Sequence, residues 1–302
     1  MTHLTIEKLQ TTFWADGITF SKDSSGLIIV NISNKLATAS ISLHGAHLLS
    51  FIPSGQEDVI FLSKKAIFKE GVPVRGGIPV CWPWFGDHLT DREIYSHGFA
   101  RRNLWDVKSV TKNSDDSNTV IFKLHGKKGE FDSWPYSFEA ELKVTVSDTL
   151  SITLTTNNTS DKPFTITNAL HTYFNISDIG NIEIEGLKRV DYQDDVDGEK
   201  IKTENGNITI NQEVDRVYMK TSSTCKIIDS GFNRAIDIAK EGSETTVVWN
   251  PWKKIAASMK DMADDEYRNM VCIEAVNTFD DKRTVMPGEN HSITQIIKST
   301  KL

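Results

Sequence analysis

A period of two runs through this sequence and leaves it few folds to choose from. Gly26–Ser33 (GLIIVNIS), Ala37–Leu43 (ATASISL), Thr119–Leu124 (TVIFKL), Phe138–Val146 (FEAELKVTV) and Leu150–Thr156 (LSITLTT) are short and rich in Ile, Val and Thr, and several alternate apolar with polar residues. Alternation gives each face of a strand its own set of side chains, so these segments read as half-buried antiparallel strands. The pattern continues through Phe164–Asn168, Ile182–Glu185, Ile208–Ile210, Lys226–Ile228, Thr245–Trp249, Met270–Glu274 and Ile293–Lys298, with Asn-Gly, Asp-Gly, Pro-Gly and Ser-Asp pairs between segments. So many strands at this spacing predict an all-β fold, a large antiparallel β-sandwich with few short helices. Helical signals are confined to Ser258–Asn269 and a turn or two over Ser63–Lys69. That is too little for βαβ units, which disfavours a doubly wound parallel sheet. No internal repeat, Pro/Ser-rich linker or low-complexity stretch divides the chain, and residues 1–302 read as one domain. The first dozen residues and the polar stretches Lys112–Asn118 and Tyr192–Asn207 read as its least ordered parts.

Charge narrows the partners. With 41 acidic against 34 Lys/Arg residues the net charge is −7, which argues against a surface built for DNA or RNA and leaves room for a local basic pocket. No apolar run approaches the ~18 residues of a membrane span, and the N-terminal residues lack the basic-then-apolar order of a signal peptide, so a cytoplasmic protein is expected. Cys81, Cys225 and Cys272 are odd in number, far apart and without a C-x-x-C, which suits reduced, mostly buried thiols. Sequons such as that at Asn31 are then chance matches.

Chemistry is concentrated in four segments. The first, Pro73–Gly86 (PVRGGIPVCWPWFG), breaks an apolar, aromatic run with glycines and prolines that a continuous strand does not tolerate. As a rigid loop it offers the planar fork of Arg75 to an anion, and the backbone N–H groups of Gly76 and Gly77 to a ligand; as a plain turn it carries a surface arginine. It lacks the spacing of a nucleotide P-loop. The second, Tyr95–Trp105, sets His97, Arg101 and Arg102 among aromatics, which suits a sugar bearing a charged substituent. Adjacent residues of an extended chain face opposite ways, so one arginine faces any pocket and Arg102 is read as the solvated one.

The third segment, Thr167–Asn175, places His171 among apolar and hydroxyl residues, where an imidazole can give or take a proton near neutrality. On spacing alone, a buried histidine satisfied by a backbone carbonyl is the commoner state. The fourth, Val271–Thr278, puts Glu274 in an otherwise apolar strand. Buried carboxylates need a partner or a task, and desolvation turns one into a better base; the alternative is a buried ion pair. Weaker signals are His44-Gly45-Ala46-His47, a metal-like spacing whose histidines would face opposite sides of a strand without a nearby carboxylate or Cys, and Asp215, placed either on sugar hydroxyls or on a surface strand. No metal is assigned.

Taken in order, HGAHLLSF (His44–Phe51), PVRGGIPVCWPWFG, SHGFAR (Ser96–Arg101), NALHTYFN (Asn168–Asn175), EVDRVY (Glu213–Tyr218), VWNPW (Val248–Trp252) and CIEAVNT (Cys272–Thr278) resemble the aldose 1-epimerases. RGGIP, HGFAR and VWNPW resemble their hexose-6-phosphate mutarotase branch. The resemblance runs from about residue 26 to the C-terminus. It implies a galactose-mutarotase-like supersandwich that interconverts the anomers of a hexose 6-phosphate, glucose 6-phosphate foremost. His171 is then the acid and Glu274 the base, while Arg75, His97, Arg101 and Asp215 hold substrate. Ser96 stands where close relatives often carry a longer Gln. No cofactor or metal is implied; the partner is a small-molecule sugar phosphate, not nucleic acid or membrane, and a monomer is expected. Two other classes compete. A non-catalytic carbohydrate- or phosphosugar-binding protein on the same fold would not need both His171 and Glu274 in one pocket, and a glycosidase or polysaccharide lyase would need an open cleft with paired carboxylates or a base for proton abstraction.

Overall fold

Alternation along the chain becomes alternation across sheets. The computed structural model describes residues 5–302 apart from Leu89, Arg92 and Asp132. Among these residues one eight-stranded antiparallel sheet runs in the order Lys200–Thr203, Asp191–Asp194, Val214–Tyr218, Thr245–Asn250, Met270–Asn277, Asn168–Leu170, Val80–Cys81, with Tyr173–Asn175 also paired to Met270–Asn277. A second, also antiparallel, runs Ile182–Glu185, Cys225–Asp229, Arg234–Glu241, Asn290–Lys301, Thr149–Asn158, Phe138–Val146, Asn118–Gly126, Asp106–Lys112. A four-stranded sheet over Ile18–Pro53 and the pair Phe164–Ile166 with Arg283–Val285 complete the β structure. The fold is the large antiparallel β-sandwich expected from the period of two.

Strands such as Phe138–Val146 and Thr149–Asn158 bury every second residue, and those residues join Trp82, Phe99, Phe122, Val248 and Ile273 in one apolar core. Two polar side chains reach across the core with their partners supplied. Trp82 Nε1 donates to Thr156 Oγ1 at 2.9 Å. Gln295, 1% exposed, sends its Nε2 to the carbonyl of Ile273 at 2.9 Å and accepts from the Thr172 hydroxyl. Gln295 therefore ties the second sheet to the first beside His171.

Some local expectations are corrected. The helix expected over Ser258–Asn269 instead spans Trp252–Ser258, started by the Asn250 side chain, which accepts the Trp252 N–H at 2.9 Å. Beyond Ser258 the buried Glu266 carboxylate takes the Ser63 hydroxyl and the Lys64 and Ala263 N–H groups, and these tertiary bonds hold the segment as a loop ending in a 3-10 turn at Glu266–Asn269. Ser63–Lys69 forms a single turn at Lys64–Lys65. Residues Ile6–Thr12 are helical, capped by Thr5, and much of Tyr192–Asn207 is strand. Ile208 makes only an isolated bridge to Ile184. The three cysteines are free and buried, as expected. No helix of the described residues is long and apolar enough to cross a membrane.

Replacing Gln295 with Leu should strand the Ile273 carbonyl in the core and cost about 1–3 kcal/mol of stability. A urea midpoint equal to that of the wild type would show that this bridge contributes nothing.

Candidate active site

The site is laid out by strand register. Asn168–Leu170 pairs with Met270–Asn277 as Leu170 opposite Ala275, and Tyr173–Asn175 pairs with it as Tyr173 opposite Cys272. These are the same register, so His171 stands opposite Glu274 although hydrogen bonding is interrupted at His171 and Thr172, where the His171 N–H turns to Pro79 O. On the far side Glu274 pairs with Val247 and Cys272 with Trp249; Val247 pairs with Val217 and Trp249 with Asp215. Residues directly opposite in antiparallel strands share a face. Two rows therefore cross the sheet: His171, Glu274, Val247, Val217 and Tyr173, Cys272, Trp249, Asp215. All but Cys272 line a cavity of about 370 Å³. The other face of the same strands, with Leu170, Val248 and Ile273, belongs to the core.

Loops supply the walls. Arg75, Phe85, Gly86, Ser96, His97 and Arg101 come from the two motif segments, and Asp195 and Met259 complete the lining. Arg75 is fixed from two sides: NH1 donates to the Tyr173 hydroxyl at 3.0 Å and Nε to Asp261 at 3.3 Å. Arg101 donates through NH2 to Ser96 O at 2.9 Å, and its buried Nε has no hydrogen-bond partner. The loops approach so closely that side chains are excluded at Gly76, Gly77 and Gly98. A Cβ on Gly77 would meet His47 Nε2 at 2.2 Å, and one on Gly98 would meet Trp82 O at 1.9 Å.

His171 Nδ1 and Glu274 Oε1 lie 3.2 Å apart without hydrogen-bond alignment, and His171 Nδ1 and Glu274 Oε2 have no hydrogen-bond partner. Burial, reinforced by Asp215 and opposed by Arg101, holds the Glu274 carboxyl well above the ordinary carboxylate range. Burial also lowers His171, with His97, Arg101 and Arg75 adding to the effect. Each shift favours the uncharged form of its group. His97 is held at about 3 by burial and then by Arg101 and Arg75. It is neutral; its Nδ1 accepts the Gly86 N–H at 3.3 Å, which leaves Nε2–H as its donor. Burial, then the charges of Asp195, Glu213 and Asp194, push Asp215 up to about 7.

Comparison with known proteins places this geometry. Residues 29–298 match the profile of the aldose 1-epimerase family. The chain belongs to that family. It is accordingly an isomerase. A relative from Salmonella typhimurium, named for the glucose-6-phosphate 1-epimerase reaction, is 38% identical over 257 residues, covering 84% of this chain and 84% of the relative. One from Escherichia coli with the same name is 35% identical over 281 residues, covering 92% of each. A crystal structure from Salmonella typhimurium, titled as a mutarotase, superposes with a TM-score of 0.89 at 32% identity, covering 96% of this chain and 95% of that one. The fold is shared as well by a galactose mutarotase-like protein from Clostridium acetobutylicum, at TM-score 0.77 and 15% identity over 94% of this chain and 98% of that one.

In this aldose 1-epimerase family member, Arg75, His97, Arg101, His171, Asp215 and Glu274 all line one cavity. Several expectations about their surroundings are corrected. Gly76 and Gly77 do not line it: the Gly77 N–H goes to Phe61 O at 2.7 Å, because the glycines serve close backbone packing. Of the aromatics in the Pro73–Gly86 segment, Phe85 lines the cavity, together with Trp249 from the sheet, while Trp82 and Trp84 are buried in the core. Arg101 and Arg102 diverge because Ala100–Arg102 is a 3-10 turn, not an extended strand; Arg102 reaches Gly71 O at 2.9 Å and lies over the Tyr95 ring. Glu274 has His171 as its neighbour, not an arginine ion pair. His44 and His47 are both buried on backbone carbonyls, of Arg102 and Gly76. The sequence reading missed Tyr173, Asp195 and Asp261. Tyr173 was signalled by its spacing of two from His171; Asp261 comes from a loop with no local signal.

Asp195→Asn removes the charge that contributes most, after burial, to raising Asp215, so the Asp215 midpoint should fall from about 7 toward the ordinary carboxylate range without reaching it. Carboxyl carbon NMR across a pH series reads this directly, and an unmoved midpoint would deny the coupling.

Proposed function

We propose that this enzyme interconverts the α and β anomers of a hexose 6-phosphate, with glucose 6-phosphate preferred. The reading is carried by one observation: an imidazole and a carboxyl 3.2 Å apart, sharing a cavity with the guanidinium groups of Arg75 and Arg101. Exchange of anomers requires loss of the O1 proton and protonation of the ring oxygen, so that the C1–O5 bond opens to the aldehyde. Glu274 first passes its proton to His171 Nδ1. The carboxylate then takes the O1 proton while imidazolium Nε2–H gives one to O5. Rotation about C1–C2 presents the other carbonyl face, and the transfers reverse on closure.

Arg75 and Arg101 bind the 6-phosphate through charge-assisted hydrogen bonds, for which Arg101 has an unfilled donor. Their positive charges are among the causes that lower the His171 imidazole below its ordinary range. A bound phosphate dianion offsets those charges and makes the imidazolium easier to form, which couples catalysis to the phosphorylated substrate. His97 Nε2–H and Asp215 take sugar hydroxyls, and Phe85 and Trp249 cover the ring. The names of the relatives support this substrate class.

NMR magnetisation transfer between the anomers of glucose 6-phosphate tests the reading, with free glucose as second substrate. His171→Ala and Glu274→Ala should each lower the catalysed rate by about 10²–10⁴-fold. Arg75→Ala or Arg101→Ala should weaken phosphosugar binding by about 1.5–3 kcal/mol, while turnover of free glucose, which brings no phosphate to offset their charge, is retained or rises. Wild-type exchange at the uncatalysed rate would sink the proposal, and equal losses on both sugars would remove the arginines from phosphate recognition.

A further inference from the structure

Cys272 is the one residue of the two floor rows that the cavity does not reach, and the reaction above has no use for its thiol. It is fully buried, two residues before Glu274 on the same strand and face, and directly opposite Tyr173. His171, Cys272 and Glu274 each place one ligand atom within 4.8 Å of the others. A second, independent observation accompanies the cluster: His171 Nδ1 and Glu274 Oε2 are buried and without partners, in side chains no more than 11% and 2% exposed.

We propose that His171, Cys272 and Glu274 form a binding site for Zn²⁺ beneath the sugar cavity, and that its occupation shuts the enzyme off. Imidazole, thiolate and carboxylate are the zinc donor types, and three protein ligands with one open position are its usual arrangement at a reactive site. Tetrahedral zinc sets its N, O and S donors roughly 3.4–3.6 Å apart. Nδ1 and Oε1 are already at 3.2 Å, and the sulfur closes the remaining gap by a small side-chain shift. Water from the cavity fills the fourth position. The thiolate selects zinc over magnesium and calcium, which favour oxygen donors.

Binding balances in charge: the thiol and the Glu274 carboxyl each release one proton to solvent, and the two anions so formed offset the dication. Arg75 and Arg101 oppose the metal and Asp215 favours it. The loss of turnover rests on the acid–base reading of His171 and Glu274, because the metal takes the lone pair and the carboxylate that reading needs. Binding itself does not rest on it.

The test uses metal-free full-length protein titrated with Zn²⁺ by calorimetry and with Co²⁺ by absorption, with Mg²⁺ as control. One Zn²⁺ per chain, a thiolate-to-cobalt charge-transfer band and no response to Mg²⁺ are expected, and anomer exchange should fall with occupancy and return on adding EDTA. Cys272→Ser and Cys272→Ala should each weaken zinc binding by about tenfold or more, while their metal-free exchange rate stays at the wild-type value. Absence of zinc binding, a cobalt spectrum without the thiolate band, or unchanged affinity in both variants would overturn the site. If metal-free wild type fails to exchange anomers, the catalytic reading falls, while calorimetry and the cobalt spectrum still decide the metal site.

Discussion

The pairing of one antiparallel strand, Met270–Asn277, with the broken strand across from it is the constraint on which the site depends. Hydrogen bonding lapses at His171 and Thr172, yet Leu170 opposite Ala275 and Tyr173 opposite Cys272 keep a single register through the gap. A slip of one residue would turn the whole set of side chains to the other face. His171 would then enter the core, and Leu170 would take its place over the cavity. The core therefore protects the chemistry: Leu170, Phe174 and Ile273 fill one face, and Gln295 holds Thr172 from below, so the facing pair has one place to stand.

That same burial sets the protons. Glu274 is 2% exposed and has no cation in hydrogen-bond contact, so burial holds its carboxyl well above the range in which an exposed glutamate ionises. His171 is discouraged from taking that proton by burial and by positive neighbours on two loops. In the proposed reaction the proton therefore starts on the carboxyl and has to reach the imidazole before the ring opens. In the proposed reaction an anion on the arginines changes that balance without any movement of the strands, and a cavity lined by Arg75 and Arg101 gives an acidic protein a local place for an anionic substrate.

Much of this was legible in the sequence, and for physical reasons. Alternation reports which residues share a face, so the sheets and the spacing of Cys272 with Glu274 and of His171 with Tyr173 were readable directly. A carboxylate in an apolar strand was conspicuous because its burial is costly. Joining His171 to Glu274 required the ordered family motifs, since no local pattern encodes which strand pairs with which. The misreadings share one origin. The helix expected at Ser258–Asn269 was displaced by hydrogen bonds to Glu266 from residues some 200 positions away in sequence, and the paired glycines of RGG answer to packing against His47 and Phe61. Asp261, which fixes Arg75, sits in the loop that those Glu266 bonds shape.

The arrangement of Arg75 shows how far function reaches beyond the reacting pair. Its guanidinium spans from Tyr173, which stacks on His171 with ring centroids 4.9 Å apart, to Asp261 on a separate loop. Two of its donor edges are occupied, which removes most of the rotamer freedom a long side chain would otherwise lose on meeting an anion. Arg101 is held more loosely, by one bond to Ser96 O, with a buried donor left over. One arginine is thus pre-organised and the other retains unspent hydrogen-bonding capacity. The stacked Tyr173 ring joins the pre-organised one to the imidazole, so in the proposed reaction the group that fixes the anion and the group that moves the proton rest on the same side chain.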